Sequence, residues 1–125
     1  MLKNARSYVT PEAKHYFDFL SKGPFDREKE SYLRRRAWWA GNDQRRGEAS
    51  ALPMSNEETT NLAAFATLLD EADEGERLMK AEVMRELGRF TEAKFLLDHP
   101  FSKDQAQAVK IIGDLVEQQV TLLWV

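Results

Sequence analysis

Cysteine is absent from the 125 residues of this chain. Its absence excludes disulfides, thiolate metal sites and cysteine nucleophiles, and it suits a reducing compartment. Long hydrophobic runs are missing as well. Nothing approaches the roughly 18–20 consecutive apolar residues of a membrane span. The opening stretch Met1-Leu2-Lys3-Asn4-Ala5-Arg6 lacks the apolar centre of a signal peptide. These readings predict a cytoplasmic protein with no membrane association. Histidine is scarce: His15 and His99 stand alone, with no second histidine one turn away and no Glu-x-x-His, so zinc and di-iron sites have no support. There is no Gly-rich phosphate loop, nucleophile elbow or His-Glu-x-x-His. The expectation is a protein that is not an enzyme and uses neither cofactor nor metal.

What is present fits a folded domain. The chain is 42% hydrophobic and 31% charged, ordinary values for a globular protein. Its length suits one domain over residues 1–125, long enough to bury a core. The net charge of −3 hides an asymmetry. Up to Arg46 there are 11 Lys/Arg against 6 Asp/Glu, and from Gly47 onward 7 against 15. A dipolar molecule of this kind can meet a charged partner with its basic end, or pair head to tail with itself.

Stop and start signals divide the chain into five or six helices, an all-α fold. Thr10 and Pro11 look like the N-cap and first residue of a helix that Gly23-Pro24 ends. Asp26 caps a second helix to Ala40, with Gly41-Asn42-Asp43 as its stop. A mobile loop is predicted over 42–54. Ser55 and Glu58 form a capping box ahead of Leu62, Phe65, Ala66 and Leu69, which share one face. The acidic run from Asp70 to Glu76 ends that helix and favours the N-terminus of the next. Its spacing is not that of an EF-hand, and a solvated loop is the simpler reading. Further helices are expected from about Glu76 to Leu87, from Thr91 to near Asp98, and from Ser102. The last is rich in apolar residues and is expected to be long, running towards the C-terminus through Val120, Leu122, Leu123 and Trp124.

The densest local grammar lies between Leu78 and Asp98. Ala81 is a small residue in the middle of one helix, Gly88 its stop, Phe90 an aromatic at the turn, and Ala93 a small residue early in the next helix. Gly88 allows a positive φ, Phe90 plugs the gap, and Ala93 lets the two backbones close. This αα-hairpin resembles one tetratricopeptide unit, with Met84 where that family usually has an aromatic. The resemblance covers about 20 to 34 residues and implies peptide or protein binding.

The sharpest surface candidate is Arg34-Arg35-Arg36-Ala37-Trp38-Trp39, followed by Arg45-Arg46. Arginines contact phosphates and aromatics stack on bases, so this mixture can bind single-stranded nucleic acid. The plainer reading makes the tryptophans core and lays the arginine stems over apolar surface. On a helical wheel Leu33, Ala37 and Ala40 share a face, Trp39 lies with Tyr32 and Arg36 beside it, and Trp38 lies with Arg34 on the other side. Either the helix is buried on two sides or one indole is exposed. The residues put forward for partner binding are Arg34, Arg35, Trp38, Trp39, Arg45 and Arg46.

These features together point to a small protein–protein interaction module, for instance a bacterial adaptor or an immunity-type inhibitor, with a protein or peptide partner. Nucleic-acid binding through residues 34–46 is the alternative, disfavoured by the acidic remainder. A homo-oligomeric scaffold, as a homodimer built on the charge dipole and the apolar C-terminal segment, is a third.

Overall fold

A computed structural model describes residues 12–47, 54–119 and 121, with only the backbone of 44–47. Every element among the described residues is helical: α1 (Ala13–Leu20), α2 (Arg27–Gly47), α3 (Asn56–Ala66), α4 (Glu74–Glu86), α5 (Phe90–Leu97) and α6 (Ala106–Glu117), with one 3-10 turn, Lys103–Gln105, before α6. None of these helices is long and apolar enough to cross a membrane.

Helix ends follow local chemistry where polar caps are available. The backbone N–H of Lys29 donates to Asp26 Oδ1 at 2.8 Å, so Asp26 starts α2. Ser55 and Glu58 exchange the two bonds of a capping box at 2.9 and 3.1 Å and start α3. Asp73 accepts from the N–H of Glu76 and starts α4. At the end of α4, Gly88 has φ +80°. There the N–H of Arg89 reaches Met84 O at 2.8 Å and that of Gly88 reaches Arg85 O at 3.0 Å. This pair of bonds is a Schellman motif, which satisfies carbonyls that the helix leaves unpaired.

Several boundaries differ from the sequence reading, three of them with a visible local cause. First, α1 begins at Ala13, with Glu12 at the N-cap and its N–H donating to His15 Nδ1 at 2.8 Å; Thr10 and Pro11 lie outside the described residues. Second, α2 does not stop at Ala40 but runs through Gly41-Asn42-Asp43 to Gly47. Gly41 and Asn42 are buried there, and burial of that face outweighs the ~1 kcal/mol by which glycine disfavours a helix interior. Residues 42–47 of the expected loop are therefore helical, and 48–53 lie outside the described residues. Third, α6 ends at Glu117 instead of continuing towards the C-terminus. Gln118 caps it and Gln119 turns to φ 55°, a left-handed conformation that a helix cannot propagate. Val120 and residues 122–125 lie outside the described residues.

The core runs through α2 to α6. Leu62, Phe65 and Ala66 from α3 meet Trp38 from α2, and Leu78, Ala81, Val83 and Met84 from α4. Ala93 and Leu96 from α5, then Ile112 and Val116 from α6, complete it. Full burial of a side chain the size of Leu62 or Phe65 stabilises by about 1.5–3 kcal/mol. Helices pack chiefly on their sequence neighbours, α1 on α2 and α4 on α5 most extensively. Ala81 and Ala93 are both 0% exposed, which is how α4 and α5 approach so closely. Arg77 then ties two loops together, donating to the carbonyls of Glu71 and Pro100 while its guanidinium lies 4.2 Å from the centre of the Phe101 ring.

Candidate interaction surface

The pair Trp38-Trp39 divides α2 into two faces. Trp38 is 7% exposed and Trp39 42%, so neighbouring indoles, about 100° apart on a helix, meet opposite environments. On the inner side Leu33 and Ala37 join Trp38 in the interior. The Trp38 ring lies 5.9 Å from that of Phe65, and its Nε1 donates to Glu86 Oε1 at 3.0 Å.

Glu86 belongs to a small buried polar cluster on α4. Arg85 is 0% exposed and its guanidinium binds Glu82 through Nε at 2.7 Å and Nη2 at 2.6 Å. Glu86 Oε2 lies 3.9 Å from the same Nη2. Burial pushes the Glu86 carboxyl up to about 7, and the neighbouring Glu82 adds to that; the Trp38 indole and Arg85 oppose it. Buried charge is tolerated only where paired and hydrogen-bonded, which is the arrangement here.

Arg34 shares the inner side. It pairs with Glu30 at 2.7 Å and donates to Asn61 Oδ1 at 3.1 Å, while Asn61 Nδ2 donates back to Arg34 O at 3.0 Å. Its donors hold α2 to α3. Of the residues put forward from sequence, Arg34 and Trp38 thus lie within the fold, while Arg45 and Arg46 sit on the last turn of α2 with side chains outside the described residues.

The outer side of α2 carries Tyr32, Arg35, Arg36 and Trp39. Tyr32 is 50% exposed. The Arg35 guanidinium sits 5.3 Å from the centre of the Trp39 ring, one turn away, a cation–π geometry. Arg35 Nε is buried and has no hydrogen-bond acceptor among the described residues. Hydrogen bonding by the Tyr16 hydroxyl of α1 raises the pKa of Arg36 further, so that charge is permanent. The arrangement offers planar cationic donors beside a flat aromatic surface. Such a surface suits carboxylates or phosphates next to an apolar group.

A second surface was not singled out from the sequence. Phe95 on α5 is 60% exposed, and its ring meets His99 edge-on at 5.1 Å. It lines a cleft of about 320 Å³ together with Met84, Leu96, Glu92 and the ion pair of Glu71 with Lys80. Glu92, Phe95 and His99 recur at helical spacing away from Ala93 and Leu96, and that spacing is the signal that could have found it.

The acidic run has structural work. Asp73 caps α4, Asp70 Oδ1 accepts from Ala72 N, Glu76 accepts from Asp70 N, and Glu74 accepts from Ser102 N. No group of three or more His, Asp or Glu among the described residues is placed to hold a metal ion. Comparison with protein-family models, curated proteins and solved structures finds no match.

Proposed function

We propose that this chain is a non-enzymatic interaction module that binds a protein partner through the outer face of α2. The observation that carries this reading is the exposed Trp39 with the Arg35 guanidinium 5.3 Å from the centre of its ring. Tryptophan, tyrosine and arginine are the residues most enriched among those that dominate binding energy at interfaces. The α4–α5 hairpin, with Ala81 and Ala93 at the close approach, fits a tetratricopeptide-like unit, and its role in this reading is to support the α2 face. The same reading has one helical domain over 1–125 acting in the cytoplasm, without cofactor, as an adaptor or an inhibitor of its partner.

The test is affinity capture from the lysate of the source cell, with and without nuclease, comparing the wild type with Trp39→Ala. A discrete protein that survives nuclease and is lost with Trp39→Ala supports the module. Nucleic-acid binding is the second reading, favoured by the same pairing of guanidinium and indole. It predicts partners lost on nuclease treatment and retention on single-stranded nucleic acid that falls steeply with salt.

A further inference from the structure

The two exposed aromatic sites differ in charge. Around Trp39 the neighbours are Arg35 and Arg36, on the half of the chain that carries excess positive charge. Around Phe95 the cleft has Glu92 at its edge, and its one cation, Lys80, is already held by Glu71 at 2.8 Å. That half of the chain carries excess negative charge. The first site is a half-exposed indole with a guanidinium against its ring. The second is a recess with an apolar lining from Met84, Phe95 and Leu96 and, at its edge, the Glu92 carboxylate, which meets no cation among the described residues. A cleft of about 320 Å³ lies at the small end of ligand pockets, ~300–1,000 Å³, a size for side chains and not for a folded element.

We propose that the cleft between α4 and α5 receives the Trp39–Arg35 knob of a second copy of this chain, so that the protein associates with itself head to tail. The indole covers Phe95 at the mouth of the recess, and the guanidinium of Arg35 pairs with the Glu92 carboxylate. Charge complementarity commits the occupant: the recess is acidic where the knob is basic, and both belong to one molecule whose halves carry opposite net charge. The contact joins two different patches, so it is heterologous and can extend to further copies unless a ring closes. It rests on the reading of the α2 face given above and adds a second occupant for that face.

The experiment is sedimentation velocity of the full chain over a wide concentration range at low and high salt. The wild type is expected to show species larger than a monomer that grow with concentration and shrink as salt screens the contact, since exposed charges are largely screened beyond about 10 Å at 0.1 M. Trp39→Ala, lacking the knob, and Phe95→Glu, lacking the cleft, are each expected to weaken association by about thirtyfold or more. Both positions are exposed, and circular dichroism checks that each variant folds. Mixed together, the two variants restore one contact, from the intact knob of one to the intact cleft of the other, and give a 1:1 heterodimer that does not extend. Arg35→Glu alone abolishes association, and combining it with Glu92→Arg in the same chain restores it.

A wild type that stays monomeric throughout, a mixture that stays monomeric, or a Phe95→Glu variant that associates like the wild type would each overturn the proposal. A monomer that still captures a lysate protein in a Trp39-dependent way overturns self-association alone and leaves the proposed function standing. Loss of that capture, with self-association intact, does the reverse.

Discussion

Trp38 on α2 donates its indole N–H to Glu86 on α4 at 3.0 Å, across 48 residues of sequence. α2 and α4 otherwise touch little, each packing mainly on its neighbours in the chain. α3 packs on both, and the bond adds a direct tie between the part built on α1 and α2 and the part built on α4 to α6. It also decides which face of α2 points outward, because burying Trp38 puts Trp39 on the surface.

The same contact gives stability a pH dependence of unusual sign for a carboxylate. Burial pushes the Glu86 carboxyl from 4.5 up to about 7. Between these values the folded protein holds a proton that the unfolded chain does not, so stability falls as pH rises. The contribution is complete below pH 4.5, is lost as pH climbs through about 7, and changes at up to ~1.4 kcal/mol per pH unit. Denaturant unfolding of the wild type and Glu86→Gln at pH 5, 6, 7 and 8 checks this. The variant, which keeps an acceptor for Trp38 without a titrating group, is expected to lose this slope and to gain on the wild type as pH rises.

Removing the acceptor altogether has a different outcome. Glu86→Ala leaves the Trp38 N–H buried without a partner, at a cost of about 1–3 kcal/mol, beyond the packing lost. Equilibrium unfolding at pH 6 is expected to rank the wild type and Glu86→Gln close together and Glu86→Ala well below.

Gly88 holds φ +80° in the Schellman motif that ends α4. Among the described residues a Cβ there meets only Thr121 Cγ2, at 3.9 Å, so the constraint on this position is backbone conformation. Gly88→Ala is expected to cost about 1–2 kcal/mol, read as a lower denaturation midpoint with an unchanged slope.

Ala93 is 0% exposed where α5 crosses α4. Ala93→Leu forces three more carbons into that contact and is expected to destabilise by about 1–3 kcal/mol. The same substitution at Ala106, an exposed position on α6, is expected to stay within ~0.5 kcal/mol.

Local grammar carried much of this fold. Ser55 with Glu58, Asp26, Gly88, Ala81 and Ala93 act within a turn or two of themselves, and the chain places them as the sequence predicts. The run of α2 through Gly41 and Asn42 was not legible, because the burial that sustains it comes from other helices. Nor was the choice between Trp38 and Trp39. Helical spacing put them on different faces, but the partner that draws one inward, Glu86, lies 48 residues away. Arg34 was read with Arg35 and Arg36 as one basic cluster, yet Glu30 and Asn61 take it up. The spacing of Glu92, Phe95 and His99 marks the outer face of α5, but the cleft beside it exists only where α4 and α5 meet.

In the proposed function α2 holds the fold with one indole and meets a partner with the next. Trp39→Ala tests it, measured for denaturation midpoint and for recovery of the captured partner in one preparation. The expected result is a midpoint lowered by the equivalent of no more than ~1 kcal/mol, for a half-exposed ring and its Arg35 contact, with partner recovery reduced at least tenfold. A midpoint that drops by the equivalent of ~3 kcal/mol, the cost of truncating a core tryptophan, with recovery unchanged, would contradict it.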